Sequence, residues 1–208
     1  MFKKKDQTKK IMQDPISNEQ IRIIRTNLES ISEGKSAIFM VTSTSEDGEK
    51  SIISSKLAIS FVEQGKSVLL VDANIRNPSL HHWFQMQNQS GFTNVIVNED
   101  EIKLHIRETY VPGLFILPTG PIPLNSSEIW VTNKIIELVR NCESEFDVVI
   151  FEAAPYLTAA DSQVLASQCD GVILVIKENK TKKEELLKTK ENLERTNNKI
   201  FGVIYQTG

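Results

Sequence analysis

The 208-residue sequence predicts a single α/β domain on a mostly parallel sheet with helices on both faces. Three observations lead there. Several short runs are apolar almost throughout rather than at alternate positions, among them AIFMV, SVLLVDA, FDVVIFEAAP and DGVILVIK. A strand buried on both faces reads this way, and such strands belong to parallel sheets covered by helices. Helical patterns separate the runs, as crossover connections require. Polar loops follow three of them, and open α/β sheets bind ligands beyond the carboxyl ends of their strands.

The elements come in the following order. Residues 1–16 begin MFKKKDQTKK, five lysines against one aspartate, and read as a basic flexible tail. Solvation is the first expectation for such a run, attraction to an anionic membrane surface the second. The folded domain is placed at residues 17–208. Ser17 and Gln20 form a capping-box signature for the helix SNEQIRIIRTNLESI. Ile21, Ile24, Leu28 and Ile31 recur on one face of it, with Glu19, Arg22, Arg25 and Glu29 on an adjoining charged stripe. A strand AIFMVT, a helix over 51–64 and a strand SVLLVDA follow, then a helix-leaning stretch near 79–86. After a loop region come the strand LFILPTG, a helix from Ser126 to Asn141 and the strand FDVVIFEAAP. A short helix over 160–168, the strand DGVILVIK, the helix KTKKEELLKTKENLERT and the strand IFGVIYQ complete the pattern.

Composition narrows the function. With 40% hydrophobic and 25% charged residues the chain has the make-up of a soluble globular protein. Its net charge of -3 argues against a general nucleic-acid binder. It carries neither an apolar run near 18 residues nor a signal-peptide pattern, so a cytoplasmic location is expected. Cys142 and Cys169 read as reduced, packed thiols, and His81, His82 and His105 lack the spacing of metal ligands.

The chemistry concentrates in VTSTSEDGEKSIISSKLA, residues 41–58. A phosphate loop needs inward N–H groups, a helix N-terminus, a lysine for the phosphates and a hydroxyl for Mg²⁺. Lys50 and Ser51 supply the last two, but Thr44 and Glu49 stand where the two glycines of G-x-x-x-x-G-K-[ST] belong. On spacing alone a nucleotide site and a chance loop both remain open. Two acids weigh for the site: Asp72 ends SVLLVD and Glu152 ends DVVIFE, each on a buried strand. A carboxylate there is costly unless paired or metal-bound. Each acid alone reads as a solvated loop residue, whereas three polar loops after three core strands read as one crevice.

On these residues the chain resembles the bacterial tyrosine kinases of capsule and exopolysaccharide synthesis, the BY-kinases. EQIRIIRTN matches the family helix motif E-x-x-R-x-x-R-T-N through Glu19, Arg22 and Arg25. TSTSEDGEKS stands for the first nucleotide loop, T-S-x-x-P-G-E-G-K-S/T, and LLVDANIRNP for the second, L-L-I-D-A-D-x-R-x-P. GPIPLNSSEI, EAAP, DGVILVIK and GVIYQ match further segments, so the likeness spans about Ser17 to Gln206. The resemblance implies a P-loop NTPase-like kinase that uses ATP with Mg²⁺ to phosphorylate tyrosines, chiefly in its own C-terminal tyrosine cluster. It implies Lys50 and Asp72 as catalytic residues, and Thr44, Ser45, Glu46, Asp47, Gly48, Glu49, Lys50, Ser51 and Ile52 as the nucleotide loop. Ser51, Asp72 and Glu152 would hold the Mg²⁺. Glu19, Arg22 and Arg25 would build a homo- or hetero-oligomer, and a membrane co-polymerase tail would activate the kinase from the inner face of the membrane. MinD- and ParA-like ATPases fit less well, because their extra loop lysine would fall on Ser45.

The departures fall on the chemistry. Glu49 replaces the glycine before the lysine, Glu46 and Asp47 replace a proline-glycine pair, and Gly48 stands one position early. These are three acids beside a polyanion, where glycine would let the backbone approach. Asn74 occupies the second aspartate position of the second loop, and an amide cannot act as a base. Glu152 extends its carboxylate by one bond beyond the family aspartate. The tyrosines are Tyr110, Tyr156 and Tyr205, with no C-terminal cluster. The expectation is a BY-kinase homologue with weakened nucleotide binding and impaired transfer, a partner of the polysaccharide machinery or of an active BY-kinase. The alternative is a working kinase that tolerates the changes.

Overall fold

The apolar runs pair into one seven-stranded sheet. In the computed structural model, residues 18–32, 36–45, 50–124, 129–130 and 132–207 are described. Helix α1 (Asn18–Ser32) precedes β1 (Ala37–Ser43), α2 (Lys50–Val62), β2 (Val68–Asp72) and the one-turn α3 (Leu80–Trp83). Then come α4 (Phe92–Asn98), a 3₁₀ turn (Ile102–Leu104), β3 (Arg107–Glu108) and β4 (Leu114–Leu117). The chain continues through α5 (Thr132–Glu145), β5 (Val148–Glu152), α6 (Ala160–Ala166), β6 (Gly171–Lys177), α7 (Lys183–Arg195) and β7 (Ile200–Gln206). The strand order is β3-β4-β2-β5-β1-β6-β7, and every pair is parallel except β3 with β4.

Both sheet faces are covered, which is why the central strands are apolar at successive positions. In β1, Ile38 and Met40 enter one core with residues of α4, α5, α6 and α7, while Phe39 and Val41 enter the other with α1, α2 and α3. Successive side chains point to opposite faces, so no position of β1 is free to be polar until the strand ends. Helix α2 is buried at all but Ile52 and Val62, and its buried Ser54 and Ser55 satisfy themselves by donating back to the carbonyls of Lys50 and Ser51.

Helix α1 corrects part of the sequence expectation. Ile21 and Leu28 are buried and Ile24 is half-buried, but Ile31 is exposed. At 3.6 residues per turn Ile31 lies about 80° around the helix from Ile21, beyond the covered stripe. Arg25 lies only about 40° from Ile21 on the other side, and it turns inward. Its guanidinium donates to Ser60 O at 3.1 Å, a carbonyl in the last turn of α2, and lies 3.7 Å from Glu29. Arg25 thus caps the C-terminal end of α2, where a cation also complements the helix dipole. Glu19 and Arg22 stay at the surface 3.5 Å apart, with Glu63 at 3.8 Å from Arg22.

The region read as a loop before LFILPTG holds α4, the 3₁₀ turn and β3. A backbone seam ties it to the loop after β4: Phe92 N donates to Pro118 O at 2.7 Å and Thr93 N to Thr119 O at 2.9 Å. A Cβ on Gly91 would sit 1.9 Å from Pro118 O, so only glycine allows this approach. Gly120, at φ +82°, faces Gly91 from the other side. The expected start of α5 at Ser126 lies outside the described residues, and the helix runs on past Asn141 to Glu145. Ser17, the expected cap, and the basic tail also lie outside them. Cys142 and Cys169 are free thiols, and burial pushes Cys142 up to about 12. No helix among the described residues is long and apolar enough to cross a membrane.

Candidate nucleotide and metal site

Three strand ends converge. β1 stops at Ser43 and the chain re-enters at Lys50, the first residue of α2. Asp72 and Glu152 close β2 and β5 directly opposite one another in the parallel register. Backbone bonds bind the exits together: Ala73 N to Glu152 O at 2.9 Å, Ala153 N to Val41 O at 3.0 Å, and Tyr156 N to Ser43 O at 2.9 Å.

The side chains follow from that frame. Ser51 donates its hydroxyl proton to Glu152 Oε1 at 3.0 Å. With that one proton committed, Ser51 accepts from the Ser79 hydroxyl in a short hydrogen bond. Lys50 Nζ donates to Ser43 Oγ at 3.2 Å, reaching back across the mouth of the loop. Asp72 Oδ2 accepts from the backbone N–H groups of Ser79 at 2.9 Å and Leu80 at 3.0 Å. Thr119 reaches over to donate to the Asp72 carbonyl at 2.8 Å. Asn74, buried beside them, uses its carboxamide oxygen to accept from Asn77 N at 3.3 Å.

Burial governs the proton affinities. It raises Asp72 to about 6, against the pull of the Leu80 and Ser79 N–H groups. Burial, reinforced by the Asp72 charge, raises Glu152 to about 8, while Lys50, Ser51 and Asn74 oppose the shift. Two buried carboxyls this close do not both ionise readily, so at neutral pH the pair holds a proton.

Asp72 Oδ1 and Glu152 Oε2 are buried with no hydrogen-bond partner. Orphaned carboxylate oxygens are rare in a folded interior and call for an explanation. With the Ser51 hydroxyl they form a hard, oxygen-only donor set of the kind Mg²⁺ takes, the remaining positions going to water or phosphate. The residues present therefore fit Mg²⁺: Ser51, Asp72 and Glu152 would hold it, and it would supply charge neutralisation for phosphate oxygens. Among the described residues no group of three or more His, Cys, Asp or Glu could hold a metal ion, so this donor set rests on two carboxylates and a hydroxyl.

Lys50, Ser51, Asp72, Asn74 and Glu152 thus meet at one sheet edge, and all are buried. Thr44 and Ser45 lead into the same loop, Thr44 buried, and Ile52 lies half-buried in the first turn of α2. Glu46, Asp47, Gly48 and Glu49 lie outside the described residues. Glu19, Arg22 and Arg25 form no part of this site. The sequence reading missed Ser79 and Thr119. Ser79 had a signal, a serine after Pro78 and just before a helix, which is a capping position.

A strand end, a Lys-Ser helix start and two strand-end carboxylates define a P-loop NTPase-type domain. A family model described as an AAA domain matches residues 47–203. The tyrosine-protein kinase YwqD of Bacillus subtilis (strain 168) is 36% identical over 91% of this chain and 80% of its own length. The kinase domain of Escherichia coli tyrosine kinase ETK superposes with a TM-score of 0.86 at 26% identity, covering 91% of this chain and 75% of that one. The chimerical protein CapA2B2 superposes with a TM-score of 0.85 at 28% identity, covering 94% of this chain and 87% of that one. The chain belongs to the bacterial tyrosine-protein kinase family.

Proposed function

We propose that this chain serves capsule or exopolysaccharide assembly as a BY-kinase homologue with weakened nucleotide binding and impaired phosphoryl transfer. Its role on this reading is structural or regulatory, at the inner face of the membrane. The observation that carries it is Asn74. It is buried in the site and its carboxamide oxygen is engaged with Asn77 N at 3.3 Å, where the family places a carboxylate. An amide takes no proton from a tyrosine hydroxyl. The acids Glu46, Asp47 and Glu49 in the loop add repulsion toward a triphosphate.

Calorimetry with MgADP and phosphoryl transfer to a tyrosine peptide test this. The expected dissociation constant is on the order of 100 μM or weaker, a binding free energy of only about 5.5 kcal/mol. Turnover should be negligible in the wild type. It should return in part in the Asn74→Asp/Glu152→Asp variant, and Glu49→Gly should tighten MgADP.

A working kinase is the second reading. The convergence of Lys50 and Ser51 with the two orphaned carboxylate oxygens favours it. Micromolar MgADP affinity with measurable turnover in the unaltered protein would decide for it.

The partners on this proposal are a membrane co-polymerase tail and, on the first reading, an active kinase of the same family. Assembly runs through α1. Because Arg25 caps α2, Arg22 and Glu19 are the residues of that motif at the surface, paired with each other. Arg22→Ala alone should weaken assembly without lowering the melting temperature, and Arg25→Ala should lower it.

A further inference from the structure

The two edges of the sheet are treated differently. β3 has two residues, Arg107 and Glu108, both charged and exposed, in antiparallel pairing with β4. Short, charged edges are a standard protection against pairing with another chain. β7 has none of this. It is seven residues long, IFGVIYQ, with no charge, no proline and a free outer side among the described residues. Gln206 O accepts from Glu178 N at 2.8 Å, so the strand's alternation turns the N–H and C=O of Val203 and Tyr205 away from β6. Val203 is 50% and Tyr205 57% exposed.

Next to these residues, between β7 and α7, lies a groove of about 620 Å³ whose apolar lining is Leu174, Leu186, Leu187, Ile200 and Val203, with charged and amide side chains of α7 and the turn before β7 also lining it. One surface therefore carries both a projecting aromatic ring and a recess that suits one. We propose that β7 pairs antiparallel with β7 of a second copy of this chain, about a two-fold axis at Val203, joining two seven-stranded sheets.

A two-fold contact uses the same patch twice, so the patch must complement itself. This one does. Residues 203 and 205 share a face, so each Tyr205 ring would lie across the other copy's groove at the Ile200 end. The flanking charge fits as well: with the axis at Val203, Lys199 falls opposite Thr207 of the other copy, and no like charges meet across the strands. The contact is separate from α1, which packs with α2 on the opposite face of the sheet.

The test is sedimentation velocity of the full chain over a range of concentrations. Wild type should pass from monomer to dimer in the micromolar range. Val203→Lys places a charge on the exposed edge and leaves the ladder with β6 intact. It should shift the dimerisation midpoint upward at least 30-fold, with an unchanged circular dichroism spectrum and melting temperature. Arg22→Ala should leave this step alone, which separates it from assembly through α1. Amide exchange gives an independent measure: Val203 and Tyr205 N–H should be protected in concentrated protein and exposed in dilute protein. A wild type that stays monomeric at high concentration overturns the proposal. So does a Val203→Lys variant that dimerises normally, or a dimer abolished by Arg22→Ala with no protection on β7.

Discussion

Asp72 and Glu152 occupy the same place on adjacent strands, at the last residue and nearly inaccessible, yet their hydrogen-bond surroundings differ. Both are raised by burial, Asp72 to about 6 and Glu152 to about 8. The difference lies in donors. One Asp72 oxygen receives two backbone N–H groups from the start of α3, while Glu152 receives the Ser51 hydroxyl and lies near the Lys50 charge, and each carboxyl faces the other. Burial raises both groups, and each donor or cation beside the charged form works against it.

The largest expected effect tests that contrast through pH. Glu152 is raised above its unfolded value, so between about 4.5 and 8 the folded protein keeps a proton that the unfolded chain has released. Its contribution to stability is complete below the unfolded value and is lost as pH rises through the folded one. Urea unfolding should show a loss on the order of 3 kcal/mol between pH 5 and 9. In Glu152→Gln the part of that loss above about pH 6 should vanish, leaving the smaller part that Asp72 contributes below it; an equal loss in the variant would place the proton elsewhere. Next in size is Asp72→Ala, which leaves the Ser79 and Leu80 N–H groups without an acceptor. It should cost roughly 2 kcal/mol, while Asp72→Asn, which retains an acceptor oxygen, costs less. Ser51→Ala should cost about 1 kcal/mol and move the pH midpoint further up, because Glu152 loses a donor to its charged form. The smallest effect is that of Mg²⁺ without nucleotide. Millimolar Mg²⁺ should stabilise by about 1 kcal/mol or less at pH 8.5, and less again at pH 6, where the proton competes. Equal effects at both pH values would separate the cation from the carboxyl pair.

Much of the sheet and the site could be read from the chain. Strands buried on both faces announce themselves as unbroken apolar runs, and Lys50, Ser51, Asp72 and Glu152 each stand at the end of such a run or the start of the helix after it. What stayed hidden depends on partners distant in sequence. Helix α4 is held by Pro118 and Thr119 through backbone bonds that no local pattern reveals. β3 is two residues long and charged, without the alternation that marks a strand. Arg25 looks like its neighbour Arg22, yet about 60° of helix rotation separates a buried cap from a surface charge. The orphaned oxygens are a property of packing, and composition is silent on them.

The seam between Gly91 and Gly120 has a consequence for motion. Its bonds run from one backbone to another across nearly thirty residues of chain, and a Cβ on Gly120 would stand 2.7 Å from Gly91 N. Side-chain rearrangement cannot loosen such a junction by degrees; it is closed or it is parted. The N–H groups of Phe92 and Thr93 belong to one cooperative opening unit, and their hydrogen exchange should share a single free energy. Thr119, part of that seam, holds the Asp72 carbonyl, so each parting of the seam also releases the back wall of the acidic pair.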